Sequence, residues 1–168
     1  EFFNDFADYD VHVEVPPGYT VAATGVLNSK TTEGGMVDWH FQAENVIDFA
    51  WFTSPAFRHE KYTGVVAGQN KVDLNVYYDP RDSVLWSKAG VYAARALEFY
   101  SDWLGAYPYQ QMSVVSAPLS AGGGMEYPMV AFCAGRPAAD GKYTEAQERG
   151  LISVTIHEVG HNWFPMII

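Results

Sequence analysis

The sequence predicts an α+β protein, with an antiparallel β-sandwich-like N-terminal part followed by a mixed α/β part. Three observations lead there. Apolar and polar residues alternate with a period of two through several short runs before residue 79. Turn signals rich in Gly and Pro separate those runs, as in antiparallel sandwiches. Beyond Asp79-Pro80 the apolar spacing lengthens to that of a helix. The expected division is 1–78 for the β part and 79–168 for the second part.

The elements follow in order. In "YDVHVEV", Val11, Val13 and Val15 alternate with His12 and Glu14, so the valines share one face. Pro16, Pro17 and Gly18 break that strand, and "YTVAATGVL" resumes it. After the turn-like "TTEGG", Val37, Trp39 and Phe41 alternate with Asp38, His40 and Gln42. "VIDFAWFTS" is a more continuous apolar run, expected of a strand covered on both faces. "KVDLNVYYD" alternates through Val72, Leu74 and Val76. One helix is expected from Ser83 to Leu104, with Leu85, Ala89, Tyr92, Ala96, Phe99 and Trp103 as its apolar stripe. Asp82 or Ser83 is its cap, and Gly105 and Pro108 end it. "MSVVSA" and "YPMVAF" read as strands flanking a glycine-rich turn. A second helix starts at Thr144, because Gln147 three residues later completes a capping box. It carries Leu151, Val154 and Ile156 towards His157 and His161.

Composition limits the function. The 168 residues are 48% hydrophobic, enough for a core. The net charge is −10 with only 10 Lys+Arg and no basic cluster, which argues against a nucleic-acid partner. No apolar run approaches the roughly 18 residues of a membrane-spanning helix. Cys133 is the one cysteine, so no internal disulfide forms, and the compartment stays open. It ends an apolar strand and reads as a small core hydrophobe rather than a nucleophile.

The chemistry concentrates in "HEVGHNWFP". His157 and His161 are four apart, hence one turn apart on one helical face. Two imidazoles so placed can bind zinc, and Glu158 beside them can take a proton from the water that zinc activates. His12 and His40 lie on the polar phase of strands and His59 lies in "FRHEK", so all three read as solvated surface residues.

A second constellation is "AGGGMEYP", where consecutive glycines let backbone approach a ligand closely. With "HEVGHNWFP" downstream, "GGMEYP" resembles the paired motifs of the M1 family of zinc aminopeptidases, gluzincins with a thermolysin-like catalytic domain. "YDVHVEVPPGYTVAATG" and "NVIDFAWFTSP" are similar to the end of that family's N-terminal β-domain, and "ALEFYSDWLGAYPYQQMSVV" to the opening of its catalytic domain. The resemblance implies one Zn²⁺ per complete enzyme, held by His157 and His161, with Glu158 as general base. It implies that Glu126 binds the free α-amino group of a peptide substrate. Gly123, Gly124 and Met125 would complete the substrate-binding stretch, the glycines by backbone pairing. Tyr127 departs from the motif, which usually has Asn there, and suggests a bacterial-type member with a variant motif.

In that family the third zinc ligand and a catalytic tyrosine lie further along than Ile168. The expectation is therefore a piece truncated after the zinc helix, inactive alone and binding zinc weakly or not at all. The apolar ending "WFPMII" would need covering, which suggests self-association. Two other readings stand beside the aminopeptidase: a zinc endopeptidase of thermolysin type, and a non-catalytic interaction module on a peptidase scaffold. Glu126 separates the first two, since an amine anchor beside the zinc stops a substrate from extending past its first residue.

Overall fold

The computed structural model describes residues 4–119, 122–134 and 140–166. Among these residues ten strands form one three-stranded, one five-stranded and one two-stranded sheet, accompanied by three α-helices. The architecture is α+β.

The three-stranded sheet has the order β1 (Ala7–Val15), β4 (Met36–Val46), β3 (Val26–Glu33), all antiparallel. Its period of two behaves as the sequence predicts. Val13, Val15, Val37, Trp39 and Phe41 are buried on one face, and His12, Asp38, His40 and Gln42 take the other. The run "YTVAATGVL" is not one strand. β2 (Thr20–Ala23) and β3 belong to different sheets, separated at Gly25. That residue has φ +90°, and a Cβ on it would stand 2.5 Å from the Gln42 carbonyl oxygen. Only glycine turns so close to a neighbouring backbone.

β2 pairs with β5 (Trp51–Ser54) and is wedged between two apolar clusters. Val21 and Ala23 join the three-stranded sheet's core, while Ala22 joins Tyr77, Val115, Val130 and Phe132 of the larger sheet. Of these two runs, the one covered on both faces is β2, not "VIDFAWFTS". Within that run Val46 ends β4 and Trp51–Ser54 forms β5, with Trp51 exposed.

The five-stranded sheet has the order β6 (Arg58–Ala67), β7 (Asn70–Tyr78), β8 (Gln111–Ser116), β10 (Val130–Cys133), β9 (Gly124–Tyr127). β7, β8 and β10 run parallel, with an antiparallel strand at each edge. Backbone pairing therefore runs across residue 79. β8 and β10 are buried along their whole length, as expected of central strands covered on both faces. Cys133 is fully buried, and burial pushes its thiol up to about 12.

The helix expected over 83–104 is interrupted. A 3-10 turn (Pro80–Asp82) leads into α1 (Ser83–Trp86), and Ser87 and Lys88 separate it from α2 (Ala89–Leu104). The capping side chain is Asp79, which accepts from the Arg81 N–H, whereas Asp82 makes no such bond. The buried face of α2 is Ala89, Gly90, Ala93, Ala96 and Leu97, and Phe99 and Trp103 are exposed. The reason is close packing: a Cβ at Gly90 would overlap the Tyr62 ring, so small residues must face β6. α3 (Glu145–Gly160) begins with the predicted capping box of Thr144 and Gln147. The two long helices pack on one face of the sheet around Trp86, Leu97, Leu151, Val159 and Trp163.

The C-terminal run is partly covered by the chain itself. Trp163 and Met166 are buried, and the Trp163 indole N–H donates to the Gly105 carbonyl at 2.8 Å. Phe164 is exposed, while Ile167 and Ile168 lie outside the described residues.

Candidate active site

α3 brings its final turn to the end of the sheet with a polar group facing inward. Leu151, Thr155, Glu158 and Val159 are its buried residues, a face set by spacings of three and four. Ile156 is exposed instead, as is His157 on the flank of that face. His161 follows the helix as its C-cap but keeps helical φ and ψ, so the one-turn relation to His157 survives. The Nε2 atoms of the two rings are 3.0 Å apart. Two zinc–nitrogen bonds of about 2.0–2.1 Å at a tetrahedral angle need a separation near that, roughly 3.3 Å.

The tautomer of His161 is fixed by a neighbour. Its Nδ1 lies 2.8 Å from the Phe164 carbonyl oxygen, which can only accept, so Nδ1 carries the hydrogen. Nε2 is then left as a lone pair directed towards His157. Donation from the far nitrogen to a carbonyl is the usual means of orienting a metal-binding imidazole.

The other half of the site comes from β9. Gly124 and Glu126 are two apart and share the face towards α3, while Met125 and Tyr127 point to the opposite face. One ligand atom each from Glu126, Glu158 and His161 lies within 4.8 Å of the others. Glu158 is buried, and its Oε2 has no hydrogen-bond partner among the described residues. Burial pushes its carboxyl up to about 7, helped by the Glu126 carboxylate and opposed by His161. Gly124 is the cradle for that carboxylate: a Cβ there would stand 2.4 Å from Glu158 Oε1.

β9 is the sheet edge among the described residues, and one side of its backbone has no strand neighbour among them. The Gly123 carbonyl accepts from the Ala134 N–H at 2.8 Å and therefore faces β10. Strand alternation turns the N–H and C=O of Gly124 and Glu126 to the open side. Met125 and Tyr127 instead pack behind the strand against the cluster of Val130 and Phe132, with the Tyr127 ring 5.6 Å from Phe132.

The donor set suits zinc. Two imidazoles and nearby carboxylates are the ligand chemistry of that ion, and buried Glu158 Oε2 is left without a hydrogen-bond partner among the described residues.

Two supporting residues carry no sequence signal that a motif reading uses. Asn162, fully buried, accepts from the Met129 N–H at 2.9 Å and so ties the end of α3 to the β9–β10 turn. Gly160 lets α3 approach α2, since a Cβ there would lie 2.8 Å from the Tyr100 ring. Within "GHN", the contacts that give Gly160 and Asn162 their purpose are long-range, to Tyr100 and Met129.

No protein-family profile matches the sequence, and no curated protein matches it. Solved structures do. The chain is similar to a two-domain M1 zinc metallopeptidase variant bound to L-arginine, at 20% identity with a TM-score of 0.71. It is similar to the M1 zinc metallopeptidase of Deinococcus radiodurans at 21% identity, with TM-scores of 0.72 for that protein and 0.73 for a variant of it. In each case 97% of this chain is covered but only 35% of the other, so it spans about a third of their length. What this establishes is the fold: the chain folds like part of an M1 zinc metallopeptidase.

Proposed function

We propose that the chain carries the zinc-binding helix and the amine-anchoring strand of a metallo-aminopeptidase. The single observation supporting this most is the convergence of Glu126 with Glu158 and His161, beside two imidazole nitrogens 3.0 Å apart. In this reading His157 and His161 hold the metal through Nε2. Bound there, zinc would supply a Lewis acid that acidifies water and polarises a peptide carbonyl.

The remaining work belongs to side chains of this chain. Glu158 takes the proton of the attacking water and returns it to the departing amine. Its buried carboxylate, with Oε2 not engaged by another group among the described residues, is placed to accept that proton and to give it back. Glu126 neutralises the α-ammonium of the substrate, which would be costly to bury without an opposite charge. The open side of β9 offers Gly124 and Glu126 backbone groups for strand-like pairing with a peptide. An anchor so close to the base leaves room for one residue before the scissile bond, which favours an aminopeptidase over an endopeptidase. The L-arginine bound to one similar structure is an amino acid with a free α-ammonium, the kind of group assigned here to Glu126.

The test uses the complete enzyme. It should contain one zinc per chain that is lost when His157 and His161 are replaced, and hydrolyse an aminoacyl anilide but not its N-acetyl derivative. Equal turnover of free and blocked substrates would reject the anchoring role, and turnover unaffected by zinc chelation would reject the metal assignment.

A further inference from the structure

The polar face of the three-stranded sheet carries a second set of metal-ligand side chains, on different strands from the site above. His12 and His40 are direct cross-strand neighbours on β1 and β4, and their rings stack at 4.2 Å with planes 6° apart. Asp10, two residues before His12, shares that face. Its Oδ1 lies 2.8 Å from His40 Nε2 and 3.8 Å from His12 Nε2. One donor atom from each of the three residues falls within 4.8 Å of the other two.

Neighbouring side chains aim these donors. The Asp38 Oδ2 carboxylate oxygen lies 2.8 Å from His12 Nδ1 and accepts its hydrogen, which leaves Nε2 as the lone pair on the Asp10 side. Gln42 donates to Asp10 Oδ2 at 2.7 Å and leaves Oδ1 for the histidines. Such carboxylate and amide contacts behind the donor atoms orient metal ligands in general. A cavity of about 170 Å³ opens alongside, lined by His12, Glu14, Thr31, Glu33, Met36 and Asp38. Its three carboxylates favour a cation, and the exposed edges of His12 and Asp10 leave a path from solvent.

We propose that Asp10, His12 and His40 bind a divalent transition-metal ion, Zn²⁺ foremost, independently of any peptidase activity. Two imidazoles and one carboxylate match that ion, whereas Mg²⁺ and Ca²⁺ take shells of oxygen. On binding, His40 Nε2 gives up its hydrogen, which passes to Nδ1 or to solvent, and exchanges its contact with Asp10 for the metal. Asp38 acts as a positioning residue through His12.

The experiment is a Zn²⁺ titration of the full protein carrying His157→Ala and His161→Ala, read by calorimetry and by the imidazole NMR signals. One zinc per chain is expected, with the His12 and His40 ring signals shifting together. His12→Ala or His40→Ala should weaken binding at least tenfold, and Asp38→Asn about 10–100-fold. Millimolar Mg²⁺ or Ca²⁺ should not compete. The NMR readout in the unsubstituted protein guards against any loss of fold in the variants. Ring signals of His12 and His40 that stay fixed at saturating zinc, or affinity unchanged in the His12→Ala/His40→Ala double variant, would overturn the proposal. Hydrolysis plays no part in the readout, so failure of the aminopeptidase reading and failure of this site remain distinguishable.

Discussion

Gly124 lies against the carboxylate of Glu158 so closely that a single added Cβ would stand 2.4 Å from Oε1 and 2.5 Å from both Cγ and Cδ. Its φ lies outside the left-handed region, so space alone demands glycine there. Gly124→Ala must push the buried Glu158 carboxylate off its position. In the complete enzyme kcat should fall about a hundredfold, the usual cost of a displacement near 1 Å, with zinc content unchanged. Wild-type kcat on an aminoacyl anilide would mean that the carboxylate finds another route.

Glu158→Gln keeps the side chain's size and removes its basicity. Turnover should drop by at least about two orders of magnitude while the metal stays bound. Zinc analysis beside steady-state kinetics separates the two effects, and full activity in this variant would end the case for Glu158 as base.

Glu126→Ala removes the charge proposed to meet the substrate's ammonium. The expected result is a loss of kcat/KM of about a hundredfold or more for free N-termini, and a much smaller change for blocked peptides. An equal loss on both substrate types would point to a general disturbance of the site instead.

A pH effect follows from the clasp between α2 and α3. Glu148 accepts from Lys88 Nζ at 2.7 Å and from the Tyr92 hydroxyl at 3.0 Å. Those hydrogen bonds, from Lys88 and then Tyr92, hold its carboxyl below the ordinary value of 4.5. The folded value is therefore below the unfolded one. The clasp stabilises the fold above about pH 4.5 and loses that contribution as pH falls through the folded value. Glu148→Gln should lower the Tm by no more than a few degrees at neutral pH, because the pair is exposed. Thermal melts followed by circular dichroism should show a shallower acid limb in the variant. An identical acid limb would assign the acid sensitivity to other carboxylates.

Asn162 joins α3 to a turn whose Met129 adopts φ +62°. Asn162→Ala strands the Met129 N–H without its acceptor in a buried setting. Urea unfolding should report a loss of about 1–3 kcal/mol. A loss below about 0.5 kcal/mol would imply that water replaces the amide.

Sequence alone determined what depends on neighbours within a turn or along one strand. The spacing of His157 and His161, the Thr144–Gln147 cap and the in–out order of Val13, Trp39 and Phe41 are local, because 3.6-residue and 2-residue periods are properties of the backbone itself. Tertiary structure decided everything that rests on which elements become neighbours. β6 carries no plain sequence signal because it is an edge strand whose inward positions, Glu60, Tyr62, Val65 and Ala67, begin with a charge and change phase at the register shift between Tyr62 and Val65. Phe99 and Trp103 looked like core, but the close approach marked by Gly90 gave the inner face of α2 to small residues. The closeness of Glu126 to Glu158 arises because β9 takes the sheet edge beside α3, and no local period encodes the order of strands. His12 and His40 read separately as surface residues for the same reason. Only the antiparallel register of β1 and β4 places them opposite each other, since hydrogen-bonded strands set side chains about 5 Å apart whatever their distance in sequence.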